Sequence, residues 1–313
     1  MFENCTMIST RDMPRATWLA ERRKGIGGSD AAAIVGLSRY ATPYSVYMDK
    51  LGLLPELEDS EAMRQGRDLE DYVAQRFMEQ TGKRVQRCNY MIRNPLYPFA
   101  LADIDRRVVG ENAVLECKTT STLDVKQFRG VEFPEKYYAQ CVHYMAVTGA
   151  ERCYLAVLVL GREFHVFTLE RDEAEITALM GAEGDFWKLV ESQTPPGITG
   201  AEADTKAVGT VWAESDGGEV ELFGMAELFR QLETAEETLA IAKKAKEEVV
   251  NRIKEQMQTA ERGTCGRYRC TWKTQERRTL DLAALREDYP DIPLDDYMNV
   301  SKTRPFRWKS VNE

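Results

Sequence analysis

Acidic side chains and one lysine in the stretch from Phe99 to Ser121, FALADIDRRVVGENAVLECKTTS, are spaced for metal-assisted chemistry on a phosphate. Asp103 and Asp105 fall on one face of a strand running to Val109, Gly110-Glu111-Asn112 supplies a turn, and Ala113 to Lys118 returns as a second strand. Strand side chains alternate, so Glu116 and Lys118 project from one face while Leu115 and Cys117 take the other. That face carries an anion and a cation where Val114 predicts burial. A further carboxylate comes from a helix on which Gly66, Glu70, Val73 and Phe77, spaced 4, 3 and 4, form one stripe. Glu70 therefore points inward, whereas Asp68 and Asp71 fall off the stripe, toward water. An unpaired buried carboxylate is costly, so an inward glutamate is paired, snorkelling or functional.

Oxygen-donor acids without a histidine pair or a thiolate cluster favour a hard cation, Mg²⁺ or Mn²⁺. One such ion binds a scissile phosphate and an attacking water, and a second, roughly 4 Å away, stabilises the leaving oxygen. Lys118 is placed to orient or deprotonate the water and to offset developing charge. Cys117 faces away, so only its backbone carbonyl is available as a ligand. Period two does not choose between Asp103 and Asp105, since both lie on one face. It does impose a register: Asp105 and Glu116 share a face when directly opposed through a two- or four-residue connection, and a three-residue loop without a bulge separates them.

Other elements must bring these groups together. Arg22-Arg23-Lys24 leads into Gly25-Ile26-Gly27-Gly28-Ser29-Asp30 and a short helix over Ala31 to Val35. Gly27 and Gly28 permit close approach of the backbone to a ligand, and Ser29 or Asp30 is placed as the helix N-cap. A helix N-terminus behind arginines attracts anions, although the same tetrad is also an ordinary turn and cap. Thr42-Pro43 starts another short helix, Ser60 caps the Glu70 helix up to Thr81, and Pro134 begins one that ends before Gly149. Tyr137, Gln140 and Tyr144 make a polar-tipped stripe on it; His143 stands off that stripe. Cys153 to Leu160 reads as a central strand buried on both faces, turned by Gly161-Arg162 into Phe164 to Leu169, and a helix follows over Asp172 to Ser192.

Pro195-Pro196-Gly197 marks a boundary between domains over 1–197 and 198–313. Beyond it a helix of about 40 residues, from Val220 to near Arg262, carries a heptad seam of Leu228, Leu232, Ala235, Leu239, Ala242, Lys246, Val249, Ile253 and Gln256. Such a helix needs a partner along its length. Gly266 to Thr274 reads as a strand, Thr279 to Asp288 as a short helix, and Arg304 to Trp308 as a last strand.

A chain of 313 residues, 43% hydrophobic, buries a full core. Its longest apolar run is far shorter than the roughly 20 residues a membrane helix needs, and the start of the chain has no apolar secretory core, so the expectation is cytoplasmic. Seven cysteines without a CxxC pair are expected to be free thiols. A net charge of −9 speaks against indiscriminate nucleic-acid binding, but Arg267, Arg269, Lys273, Arg277 and Arg278 cluster locally, as do Lys302, Arg304, Arg307 and Lys309.

In order, the pieces are Arg22-x-x-x-Ile26-Gly27-Gly28-Ser29-Asp30, Gly66-x-x-Leu69-Glu70, Asp105-Arg106, Glu116-Cys117-Lys118-Thr119 and Gln140-x-x-x-Tyr144. Asp followed about ten residues later by Glu-x-Lys resembles the PD-(D/E)XK nuclease superfamily. The whole order is similar to the YqaJ-like viral recombinase family, relatives of phage lambda exonuclease, over approximately residues 14 to 190. The resemblance implies an α/β fold of α+β type, a mixed central sheet flanked by helices, with a C-terminal long helix and small β appendage outside that core. It implies that Glu70, Asp105, Glu116 and the Cys117 carbonyl hold two Mg²⁺ ions, with Mn²⁺ able to substitute, and that Lys118, Glu116 and Gln140 are catalytic. Arg22, Ser29 and Tyr144 then hold DNA and its 5′-phosphate, with Arg23 the alternative to Arg22 by one place.

For function, it implies a phage-encoded exonuclease in the bacterial cytoplasm that digests one strand of linear duplex DNA from the 5′ end. The family also implies a ring-shaped homo-oligomer, often a trimer, working with a single-strand annealing protein. Two departures stand out: the usual Pro-Asp is Ile104-Asp105, and the glycine that often follows is Arg106. The alternatives are a structure-specific or restriction-type endonuclease on the same core and an inactive DNA-binding scaffold.

Overall fold

A computed structural model of the chain describes residues 2–56, 59–121, 126–289, 292–298 and 304–308. It separates into two units, Met1–Ala213 and Glu214–Glu313. In the first, β1 (Thr6–Ser9) leads to α1 (Arg15–Arg22), and the short β2 (Ile26–Gly27) runs directly into α2 (Gly28–Ile34). The Thr42 hydroxyl accepts from the Ser45 amide and caps α3 (Pro43–Lys50), whose first position is a proline that needs no amide partner there. In α4 (Glu61–Thr81) Ser60 accepts from the Met63 amide, and Gly82 at φ 70° ends the helix as the sequence indicates.

Five strands follow: β3 (Val85–Arg87), β4 (Tyr90–Arg93), β5 (Ala100–Asp103), β6 (Arg106–Val108) and β7 (Ala113–Thr120). Then come α5 (Glu135–Thr148), β8 (Arg152–Val159), β9 (Glu163–Glu170), α6 (Glu173–Glu191) and α7 (Glu202–Val211). The strands form two sheets, ordered β1-β4-β5-β2 and β3-β6-β7-β8-β9. β7 and β8 are parallel, with α5 in the crossover that parallel pairing demands.

Alternation along β7 and β8 sorts the core. Val114, Leu155 and Val157 pack with Val142, Met145 and Ile176 of α5 and α6. Leu115, Cys117, Tyr154 and Ala156 pack with Val73, Ala74 and Phe77 of α4. Each large apolar side chain so buried contributes roughly 1.5–3 kcal/mol. β8 is thus covered on both faces, as its apolar run predicts.

The acid-bearing segment differs from expectation in one respect. The strand through Asp103 and Asp105 breaks at Ile104, because β5 pairs with β4 and β2 whereas β6 pairs with β3 and β7. The two aspartates therefore stand where the chain passes from one sheet to the other. Arg106 is opposite Leu115 and Arg107 opposite Val114, so one further step of the ladder sets Asp105 against Glu116. That is the register a shared site requires.

Near the expected break, the prolines end α6 but not the unit. The unforeseen α7 returns to α3 through Asp204, which accepts from the Thr42 hydroxyl and from the Thr199 amide at 2.7 Å. This carries the boundary from 197 to beyond Ala213.

In the second unit α8 spans Ala226–Met257, 32 residues rather than about 40. The expected strand from Gly266 is a hairpin, β10 (Arg262–Cys265) and β11 (Tyr268–Thr271), turned at Gly266 with φ 54°. α9 covers Leu282–Asp288. Arg304 to Trp308 forms no strand, and Lys302 and Lys309 lie outside the described residues. Among the described residues, no helix is long and apolar enough to cross a membrane.

Candidate active site

Glu116 leaves β7 on the α5 side and is 2% exposed. Its Oε1 accepts from Gln140 Nε2 at 2.7 Å and is ion-paired to Lys118 Nζ, while Oε2 is buried with no partner. Gln140 Nε2 also lies 2.9 Å from the Tyr144 hydroxyl, which donates to the Asp103 carbonyl at 3.1 Å. One face of α5 thus fixes the rotamer of Glu116 through Gln140. Lys118 Nζ lies 5.7 Å from the Tyr137 ring centroid, so the third member of the predicted stripe also faces the site.

Asp105 Oδ2 accepts the Cys117 amide at 2.7 Å, a bond that follows from the observed register. Burial pushes its carboxyl well above the ordinary carboxylate range, Glu116 pushes it further, and Lys118 opposes the rise. Asp103 is also raised, by burial first, against the Trp18 indole that donates to Oδ2 at 2.8 Å. Burial works against charge on Lys118, but Glu116 and Asp105 outweigh it and hold the ammonium more firmly protonated than usual. An ammonium so held orients a water or neutralises charge; it is a poor general base.

Glu70 is ion-paired to Arg106 Nη1, the residue where a glycine is common in the family the motifs resemble. Arg106 is 3% exposed, and it also donates to the Asp105 carbonyl at 2.7 Å and to Asp71 at 2.6 Å. Protein cations and an amide therefore hold the three expected ligands, Glu70, Asp105 and Glu116. Among the described residues, no three His, Cys, Asp or Glu side chains converge as a ready metal cage. The donor set still suits a hard divalent cation: it is all oxygen, carries excess negative charge, and leaves the Glu116 Oε2 unpartnered.

The second half of the site is built on α1 and α2. Arg22 Nη2 donates to Ser29 Oγ at 2.8 Å and to Asp30 Oδ1 at 2.8 Å. Arg23 instead reaches the Leu54 carbonyl at 3.4 Å and Asp49 at 3.5 Å, so Arg22 is the arginine brought to Ser29. The N-cap is Gly27, not Ser29 or Asp30: Asp30 sits one turn in and accepts the Gly27 amide at 2.9 Å. Lys50, buried and not anticipated, joins Asp30 at 2.6 Å. Burial disfavours the Asp30 carboxylate, but Lys50 and Arg22 reverse that and lower its pKa.

Gly28 serves packing rather than a ligand, because a Cβ there would meet the Tyr144 ring at 2.5 Å. Tyr144, expected on DNA, is 6% exposed and braces Gln140 and the Asp103 carbonyl. Trp18 connects the halves, donating to Asp103 while its ring centroid lies 5.8 Å from the Arg22 guanidinium. A cavity of about 490 Å³ opens beside this clamp, lined among others by Trp18, Arg22, Arg23, Tyr40, Arg67 and Lys206. Neither Trp18 nor Lys206 stood out in the sequence, as neither belongs to a spaced motif.

Residues 17–151 match the model of the YqaJ-like viral recombinase domain. The chain is 38% identical over 314 residues to the uncharacterized protein YqaJ of Bacillus subtilis (strain 168), covering 98% of this chain and 97% of that one. It is similar in structure to LHK-Exo in complex with dAMP, with a TM-score of 0.50 at 21% identity, over 57% of this chain and 94% of the other. Another structure of LHK-Exo, the alkaline exonuclease of Laribacter hongkongensis, gives 0.49 with the same identity and coverage. At such identity the LHK-Exo likeness is one of fold alone.

Proposed function

The chain belongs to the YqaJ-like viral recombinase family, and from that premise we propose that it is a divalent-metal-dependent nuclease that digests one strand of linear duplex DNA from the 5′ end. The observation that carries the reading is the unpartnered, buried Oε2 of Glu116, set among Asp105, Glu70 and Lys118 and one tryptophan away from the Arg22–Ser29 pair. A buried carboxylate oxygen without a partner is costly, and this one is offset when a cation arrives.

Glu116, Asp105 and the Cys117 carbonyl would hold Mg²⁺, with Glu70 available when it exchanges Arg106 for the ion. When bound, the metal supplies a Lewis acid for the phosphate and lowers the pKa of a coordinated water. Lys118, held as an ammonium, orients the attacking water and offsets charge on the phosphate oxygens. Gln140 is a positioning residue that acts through Glu116. Arg22 and Ser29 offer a guanidinium and a hydroxyl, already 2.8 Å apart, to a terminal phosphate. Family membership extends the reading to a ring-shaped homo-oligomer, a trimer, and to a single-strand annealing partner.

The test compares 5′-phosphorylated linear, 5′-hydroxyl linear and closed circular duplexes with Mg²⁺. The expected order is fast, slow and no digestion. Cleavage of the circle would favour an endonuclease, and absence of digestion with every substrate would favour the scaffold reading.

A further inference from the structure

A 32-residue helix without one buried residue is covered only at a few points by the described residues of its own unit. Helical propensity alone stabilises such a segment weakly, and its apolar face needs a cover. Along α8 the seam residues Leu228, Leu239, Val249 and Ile253 are 58%, 53%, 57% and 47% exposed. Thr234, Ala235, Thr238 and Ala242 leave a shallow groove of about 630 Å³ beside Leu239. The hairpin and tail touch α8 beside the seam, at residues one position off it. Cys270 Sγ lies 3.5 Å from Met257 Sδ, Lys254 faces Trp272, and Trp308 packs on Phe229 and donates to Glu236.

We propose that α8 pairs antiparallel with α8 of a second copy of this chain. Charge selects the orientation. Residues 226–241 hold four acids and one base, whereas 242–257 hold five bases and three acids. Antiparallel pairing sets the acidic half of each copy against the basic half of the other. It also yields one consistent register in which Leu228 faces Ile253, Leu232 faces Val249, Ala235 faces Lys246 and Leu239 faces Ala242 of the second copy. Large residues then meet small or β-branched ones, the Lys246 stem lies over an alanine, and Glu236 flanks Lys243. A parallel pair in register would put Lys246 against Lys246 in the seam and bring like-charged halves together.

The test uses the full chain with its exposed Cys265 and Cys270 changed to serine. Tagged Leu228→Cys and untagged Ile253→Cys copies are co-expressed and mildly oxidised. A cross-linked band containing one tagged and one untagged copy is expected. Cross-links only between like variants, or none, would overturn the proposal. In parallel, Leu239→Glu should halve the mass measured by light scattering, whatever assembly the first unit forms by itself. An unchanged mass with helix content retained would also overturn it.

Discussion

Glu116 and Glu183 are both buried carboxylates beside a base, their side chains 3% and 0% exposed, and they differ in how completely they are satisfied. Both oxygens of Glu183 lie on His143 Nδ1, at 2.9 and 3.0 Å, and the other ring nitrogen lies 2.9 Å from the Leu101 carbonyl. Glu116 places two donors on one oxygen and none on the other, among further acids. The first is a closed network that fixes α5 to α6 and β5; the second is open, and an open buried anion is where a ligand is needed.

Charge-removing substitutions at the two glutamates separate activity from stability. Glu116→Gln should abolish Mg²⁺-dependent digestion, by ~10³-fold or more. It removes one of several mutually repelling carboxylates, so stability should stay within about 1 kcal/mol of the wild type. Denaturant unfolding and a strand-digestion assay on the same preparation check both halves. Retained digestion, or a large loss of stability, would place Glu116 with the structural residues.

Glu183→Ala should do the reverse. Removing one partner of a closed buried pair costs ~3–5 kcal/mol, while the fraction that remains folded should digest DNA within a few-fold of wild type. An intact midpoint with lost activity would mean that the closed network belongs to the site.

Arg106 lies between these cases, since it closes Glu70 through an ion pair. Arg106→Gln should lower stability by about 2 kcal/mol without metal, because Glu70 and Asp71 lose their shared buried donor. Mg²⁺ should then stabilise the variant more than the wild type, since the ion replaces the guanidinium. Equal stabilisation of the two proteins by Mg²⁺ in thermal melts would show that Glu70 is not part of the ion's shell.

These residues also show what a sequence discloses. Glu70, Glu116 and Lys118 were legible because helix and strand periods assign faces without knowledge of the partner. The limits of α4 and α5 were legible from caps at Ser60, Gly82 and Gly149. The break at Ile104 was not, because it depends on which strands pair with β5 and β6, a matter of long-range topology. The pairings of Arg106 and Lys50 were not legible for a related reason: a cation's partner 35 or 20 positions away leaves no local pattern. His143 stands off its stripe, and its partner Glu183, 40 positions away on α6, leaves no local pattern either.

The smallest effect is expected from pH, and it concerns the closed pair alone. Burial disfavours a charged His143, but Glu183, the hydrogen bond to it, the Leu101 carbonyl and the more distant Asp30 together raise its pKa above the ordinary histidine value. The adjoining Tyr144 ring adds no charge, its own ionisation being pushed upward by burial and by Glu116. A raised folded-state pKa means that the native protein holds this proton more tightly than the unfolded chain does. The contribution is therefore complete below the unfolded value near 6.5, and it is lost as pH rises from there through the raised folded value. One proton limits the slope to about 1.4 kcal/mol per pH unit. Unfolding measured across that interval should show stability declining in the wild type and a flatter profile in His143→Gln. A variant profile as steep as the wild type's would assign the decline to other groups and leave the pair neutral.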